Sequence, residues 1–213
     1  MLFLLLFFFL FAKNTLAASD FSVNQSISYY LQDNGDASVT QDFQITNLLS
    51  QIYLKEYVIK LELAGLSQII AHDATGNIIK SVNQTNGVTI INLKFNNPSV
   101  GRGQGNKFTL SYLVNQFAIN KGKTFEIQLP DYQISDNENL TINLNIPLRF
   151  GELSFASVPV AQSQIQGDRY LVNLDYRQIK PNGKILFVFG DHQLFDFKLN
   201  YYLSNPSSSP INT

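Results

Sequence analysis

The sequence predicts an all-β protein, built as two consecutive antiparallel β-sandwich domains behind an export signal. Three observations predict it. Leu2 to Ala12 is an apolar run, residues from Phe21 onward alternate between apolar and polar, and Asn-Gly pairs punctuate the alternating runs. A strand points successive side chains to opposite faces, so period-two alternation marks a sheet with one face buried.

The opening run is too short for a helix that crosses a bilayer, which needs about 20 apolar residues. Small residues follow at Thr15, Ala17 and Ala18, so residues 1–18 read as a signal peptide cleaved after Ala17 or Ala18. Lys13 lies on the far side of the apolar run. Either the α-amino group supplies the n-region charge or the true start lies upstream, and an uncleaved anchor is the alternative. The expected location is outside the cytoplasm: secreted, or on the outer face of the cytoplasmic membrane.

Along the remaining chain, Tyr53, Tyr57, Ile59, Leu61 and Leu63 outline a long strand whose other face carries Glu56, Lys60 and Glu62. Phe108, Leu110, Tyr112 and Val114 alternate with Thr109 and Ser111, and Phe125, Ile127 and Leu129 alternate with Glu126 and Gln128. Leu140, Ile142, Leu144 and Ile146 alternate with Thr141, Asn143 and Asn145, and Phe195, Phe197, Leu199 and Tyr201 with Asp196, Lys198 and Asn200. Ile185 to Phe189 is apolar on both faces, as expected of a central strand. Asn34-Gly35, Asn86-Gly87 and Asn182-Gly183 are expected to form two-residue type I′ hairpins, whose positive φ angles Asn and Gly tolerate. A boundary is expected around Phe117 to Gly122. It separates a first sandwich over 19–117 from a second over 118–203, with 204–213 a Pro/Ser-rich linker or tail. A single elongated sandwich is the alternative.

Composition narrows the partners. Without Lys13 the chain carries 14 basic and 16 acidic side chains, with no basic run to follow a phosphate backbone, so nucleic acid is not expected. The absence of Cys excludes a disulfide scaffold, a thiol nucleophile and thiolate metal ligands. Roughly 195 residues after the signal, 13% of the whole chain being aromatic, can bury one large core or two small ones. After the signal no second apolar stretch is long enough to span a bilayer.

No group of residues reads as a catalytic, cofactor-binding or metal site, and the protein is not expected to be an enzyme. Gly101-Arg102-Gly103-Gln104-Gly105 runs into Asn106-Lys107-Phe108 at the start of a strand, not into Gly-Lys-Ser/Thr at the start of a helix, so it reads as a hairpin loop. His72 and His192 each adjoin an aspartate, Asp73 and Asp191, but neighbours on a strand point to opposite faces. A joint metal site would need both strands to converge with a third ligand such as Asp196. A Ser-His-Asp hydrolase is disfavoured by the lack of a Gly-x-Ser-x-Gly elbow. Asp33 with Asp36, and Asp131 with Asp136 and Glu138, group oxygen donors without the spacing of a calcium loop, against a reading as solvated turns. Asn24, Asn83 and Asn139 each open an N-glycosylation acceptor triplet. Tyr29, Tyr30, Tyr201 and Tyr202 could make a sugar-stacking platform. Two or three coplanar exposed aromatics would favour it, and burial of Tyr29, Tyr57, Tyr112 and Tyr201 would count against it.

The stretch YYLQDNGDASVTQDFQITNLLSQIYLKEYVIKLEL, followed by IIAHDATGNI, VTIINLKFNNPSVGRGQGNKFTLSYLV and GKTFEIQLP, resembles the N-terminal β-sandwich region of exported bacterial proteins with a transglutaminase-like domain. The resemblance continues through IPLRFGELSF and FVFGDHQLFDFKLNYYLSNP. ITNLLSQIYLKEYVIKL is more distantly similar to the luminal β-sandwich of ribophorin I, a non-catalytic subunit of oligosaccharyltransferase. The transglutaminase-like fold uses a Cys-His-Asp triad. With no Cys here, the resemblance implies the accessory region alone and transfers no catalytic residue. The expected function is therefore a non-catalytic, extracytoplasmic spacer, docking or substrate-presenting module whose partner is a protein or cell-envelope component. The alternative, from another class, is a carbohydrate-binding module using surface aromatics, with or without calcium.

Overall fold

The computed structural model describes residues 20–132, 134–160, 162–179 and 183–190. Expectations for the signal peptide, Asn182, the strand from Phe195 to Tyr201, His192 and the 204–213 tail lie outside them.

In chain order the strands are β1 (Phe21–Leu31), β2 (Ala37–Asn47), β3 (Glu56–Leu61), β4 (Leu66–Asp73), β5 (Gly76–Asn77), β6 (Ile79–Thr85), β7 (Val88–Lys94) and β8 (Gly105–Val114). They continue as β9 (Ala118–Asn120), β10 (Thr124–Gln128), β11 (Glu138–Pro147), β12 (Leu153–Ala156), β13 (Gln162–Gln166), β14 (Arg169–Asp175) and β15 (Leu186–Gly190). One turn of helix, Tyr176–Ile179, follows β14. The protein is all-β, as the alternation predicts.

The strands form three sheets. The longest has the order β13-β14-β11-β1-β2-β8-β4-β5, and the smaller two are β12-β15-β10-β9 and β3-β7-β6. Strands from both sides of the expected 117/118 division share the long sheet, because β1 pairs with β11 in parallel, Ile27 opposite Ile142. Their inward side chains belong to one apolar cluster. The expected halves thus share one sheet, and one pairing at its centre is parallel where an antiparallel one was expected.

Aromatic contacts show how the layers close. Phe43 of β2 and Phe108 of β8 stack with centroids 4.6 Å apart, and Tyr57 of β3 meets them edge-on at 5.7 and 5.9 Å. At the other end Tyr170 of β14 meets Phe189 of β15 edge-on at 5.7 Å. Each small sheet thus covers part of the same inner face of the long one. β15 lies between β12 and β10, the central position expected for it, but only one of its faces, Phe187 and Phe189 following Ile185, is fully buried, while Leu186 and Val188 on the other are partly exposed.

Two local expectations change. Asn86 and Gly87 both have positive φ and join Thr85 to Val88, a two-residue I′ turn. At the β1–β2 connection only Gly35 is in the positive-φ region, and the Gln32 N–H to Asp36 carbonyl bond of 2.8 Å closes a longer loop. Ala118 lies so close that a Cβ on Gly35 would stand 2.4 Å from its carbonyl oxygen. The strand expected from Tyr53 to Leu63 is shorter, since Tyr53 makes only an isolated bridge to Val100 and β3 begins at Glu56.

Candidate functional site

Alternation on the long sheet sends apolar residues inward and leaves the intervening residues on an outer face that no other sheet of the described residues covers. Most of its side chains are neutral and polar, with charges at Asp42 and Lys107 and apolar groups at Ile70 and Leu171. One row crosses seven strands in register: Ile70, Ser111, Thr40, Ser28, Asn143, Asn173 and Gln162. A second row sets Tyr30 beside Asn145, Leu171 and Gln164.

Cross-strand bonds hold these side chains in place. Asn173 Nδ2 donates to Asn143 Oδ1 at 2.6 Å, Asn143 Nδ2 donates to Ser26 Oγ at 3.3 Å, and Asn139 Nδ2 donates to Asn24 Oδ1 at 2.7 Å. Arg169 Nε donates to Asn145 Oδ1, its Nη2 donates to the Leu31 carbonyl at 2.5 Å, and its guanidinium lies 4.0 Å from the centroid of the Tyr30 ring. Tyr30 is nevertheless 51% exposed.

The face bears two hollows. The first, about 750 Å³, lies over β1, β11, β14 and β13, and Ser28, Tyr30, Asn143, Asn145, Gln164 and Asn173 are among its lining residues. Apart from the Tyr phenols, no ionisable side chain of the described residues lines it. The second, about 680 Å³, lies over β1, β2, β8 and β4 and contains Asp42, His72, Asp73 and Lys107, so its charges are mixed. There Thr109 Oγ1 donates to Asp42 Oδ1 at 2.6 Å. The hydroxyl of Thr75, donating to Asp73 at 2.6 Å, holds that carboxyl below the usual carboxylate range.

Beneath the sheet runs a different polar network. Gln41 is fully buried and its Nε2 donates to Tyr112 OH at 2.6 Å, while Tyr29 and Tyr132 share a hydroxyl contact. The Tyr132 backbone N–H donates to Tyr176 OH at 3.1 Å. Burial pushes the Tyr29, Tyr112 and Tyr132 phenols up, and Tyr57 up to about 12 with Glu138 adding to the effect.

The candidates read from the sequence fall into three groups. Tyr29 and Tyr112 are core residues and Tyr57 is half-buried, so the described residues form no coplanar tyrosine platform. Tyr201 and Tyr202 lie outside them. The oxygen donors serve loops: Asp33 pairs with Arg149 at 3.2 Å, Asp36 accepts from the Gln116 backbone at 2.8 Å, and Glu138 accepts from the Ser135 backbone at 3.0 Å. Arg177 donates to the carbonyls of Asp136 and Glu138. Among the described residues no three His, Asp or Glu side chains gather as a metal site, and no helix is long and apolar enough to cross a membrane. The 101–104 segment is a loop, but not the expected hairpin loop, since it carries the chain from β7 of one sheet to β8 of another and β8 begins at Gly105. It is pinned by Asn47, whose Nδ2 donates to the Ile52, Ser99 and Gly101 carbonyls at 3.1, 2.8 and 3.1 Å.

The amide ladder of Asn139, Asn143, Asn145 and Asn173 was not singled out from the sequence. Its signal was present as the polar half of the β11 alternation, but not which strands flank β11.

No family model matches the chain, and no curated protein matches its sequence. By structure the chain is similar to part of native yeast LTA4 hydrolase, with a TM-score of 0.50 at 10% identity over 80% of this chain and 29% of that one. It also aligns with a two-domain M1 zinc metallopeptidase mutant bound to L-tryptophan, with a TM-score of 0.48 at 11% identity over 81% and 43% of the two chains. For the M1 zinc metallopeptidase from Deinococcus radiodurans the TM-score is 0.45 at 11% identity over 80% and 42%. The chain therefore spans less than half the length of each. At this identity the likeness to the yeast protein is one of fold.

Proposed function

We propose that the chain is a non-catalytic, extracytoplasmic β-sandwich module of a larger cell-envelope protein, and that it docks a partner on the outer face of its long sheet. The observation that carries this reading is the division of the sheet: inward positions are filled by core packing, while outward ones offer a broad, cross-braced polar surface that no other described element covers. Buried positions have no capacity left for a partner, and surface groups held by neighbours lose little freedom on binding. The yeast LTA4 hydrolase likeness supports the modular part, since the shared fold accounts for 29% of that chain. The motif resemblance favours a transglutaminase-like domain as the companion, which a reading frame continuing past Thr213 into a Cys, His and Asp triad would test.

Docking is tested with the full chain carrying a photo-crosslinking residue at Ser26 or Thr40 on the outer face, or at Lys60 of β3 as control, expressed in its own cells. A discrete adduct from the two long-sheet positions and none from position 60 is expected. No adduct from the long sheet, or the same adducts from all three positions, overturns the reading.

A further inference from the structure

We propose that the first hollow of the outer face binds a neutral oligosaccharide. This rests on the reading of that face as a docking surface and names what docks at one end of it. The volume, about 750 Å³, lies within the range of small-molecule sites.

The lining selects the ligand class. Asn143, Asn145, Asn173, Gln162 and Gln164 bring side-chain amides from three strands to one concavity. Each amide holds two N–H donors and a carbonyl with two lone pairs. The ladder uses only part of that capacity: Asn143 donates to Ser26 and, at 3.5 Å, to Ser28 and accepts from Asn173, and Asn145 Oδ1 accepts from Arg169, while each carbonyl keeps a second lone pair and Asn173 a second N–H. Sugar hydroxyls both donate and accept, so they match a surface with both functions to spare. Among the described residues an anion would meet no free cation inside the hollow, because the Arg169 guanidinium is already bound to Asn145, the Leu31 carbonyl and the Tyr30 ring. A cation would meet no carboxylate among the lining residues. An apolar ligand would strip water from amides without replacing their bonds, at about 1–3 kcal/mol for each unpaired group.

Tyr30 completes the site. Arg169 pins one side of its ring, yet half of the residue remains exposed beside the amides. An aromatic ring with a fixed orientation can take the C–H face of a pyranose, while the amides address its hydroxyls. One aromatic held this way does not require the multi-tyrosine platform that burial of Tyr29 and Tyr112 removes. The second hollow lacks this selectivity because Asp42, Asp73 and Lys107 would favour charged groups.

The test titrates the full chain with cello-, malto- and chito-oligosaccharides, and with an oligogalacturonate as the acidic control, by calorimetry and saturation-transfer NMR. Saturable binding of at least one neutral sugar, unchanged by added salt, is expected. Asn143→Ala and Tyr30→Ala should each weaken it by about tenfold or more, and Lys60→Ala should leave it unchanged. Asn173→Asp keeps the side-chain shape and removes the amide donors, so a loss there in a protein with unaltered melting excludes misfolding as the cause. No neutral sugar bound, binding indifferent to these substitutions, or preference for the acidic sugar with strong salt dependence overturns the proposal. If sugars fail while adducts still form at Ser26 and Thr40, the face docks something else; if both fail, the docking reading falls with it.

Discussion

The two faces of the eight-stranded sheet come from the same strands at alternate positions, yet one is closed and the other open. The inner face is sealed by two smaller sheets, and its polar groups, Gln41 and the tyrosine hydroxyls, are bonded within the core. The outer face is bonded sideways, amide to amide and amide to hydroxyl, and still meets solvent. A buried polar network must be complete because every missing partner costs desolvation. An exposed one can remain incomplete, and its spare capacity is what a ligand can use.

The contrast breaks most visibly under truncation. Leu110 is fully buried on the inner face of β8, and Leu110→Ala is expected to cost about 2–5 kcal/mol through lost burial and a residual cavity. Thr40→Ala on the outer face of the adjacent strand should stay within about 0.5 kcal/mol. Urea unfolding of the two variants measures both. Equal losses would mean that the outer face is covered and the comparison is false.

The buried network gives the next effect. Tyr112→Phe removes the hydroxyl that accepts from Gln41 Nε2, leaving that N–H donor unpaired in a fully buried residue whose Oε1 still accepts from Gln25, at about 1–3 kcal/mol. Adding Gln41→Leu removes the orphan as well, so the double variant should be more stable than the sum of the two single losses implies. Strict additivity would show that the pair does not act as a unit.

Alkali probes the buried phenols from outside. Burial raises the Tyr57 phenol from an ordinary 10.0 to about 12. A phenol raised in the folded state contributes its full stabilisation below the unfolded value and loses it as pH climbs through the folded one. Stability is therefore expected to be flat up to about pH 10 and to fall between there and about 12. Far-UV circular dichroism and tyrosinate absorbance, followed together, check this. Tyr29, Tyr112 and Tyr132, also raised by burial, should ionise with unfolding, and their ionisation in a folded protein would show that water already reaches the network.

Much of this contrast is legible in the sequence, and the unreadable part has one cause. Period-two alternation assigns each residue of β8 and β11 to a face, so Leu110 and Ile142 are marked as core, and Thr109 and Asn143 as surface, before any pairing is known. Which strands lie side by side is not local information. Asn143 meets Ser26 from 117 positions away through a parallel pairing that no turn announces. For the same reason the two halves looked separable, although β1 and β11 place them in one sheet. Turn chemistry was decisive where only two residues join the strands, at Asn86-Gly87. It misled at Asn34-Gly35, where Gln32 and Asp36 extend the loop and Gly35 is required by its approach to Ala118.

The smallest stability effect is the most informative about the outer face. Asn143→Ala deletes the centre of the ladder: Asn173 loses its acceptor, and Ser26 and Ser28 their donor, but all three stay within reach of water. Water replaces the lost bonds, so the stability change should be within about 0.5 kcal/mol, far below that of Tyr112→Phe. The neighbours, however, regain rotamer freedom, and freedom that must be lost again on binding weakens the complex. Asn143→Ala should therefore leave the urea midpoint nearly unchanged while widening the spread of Asn173 side-chain amide shifts in NMR. A large midpoint shift would make the ladder a structural brace, and the outer face would then differ from the inner one in exposure alone.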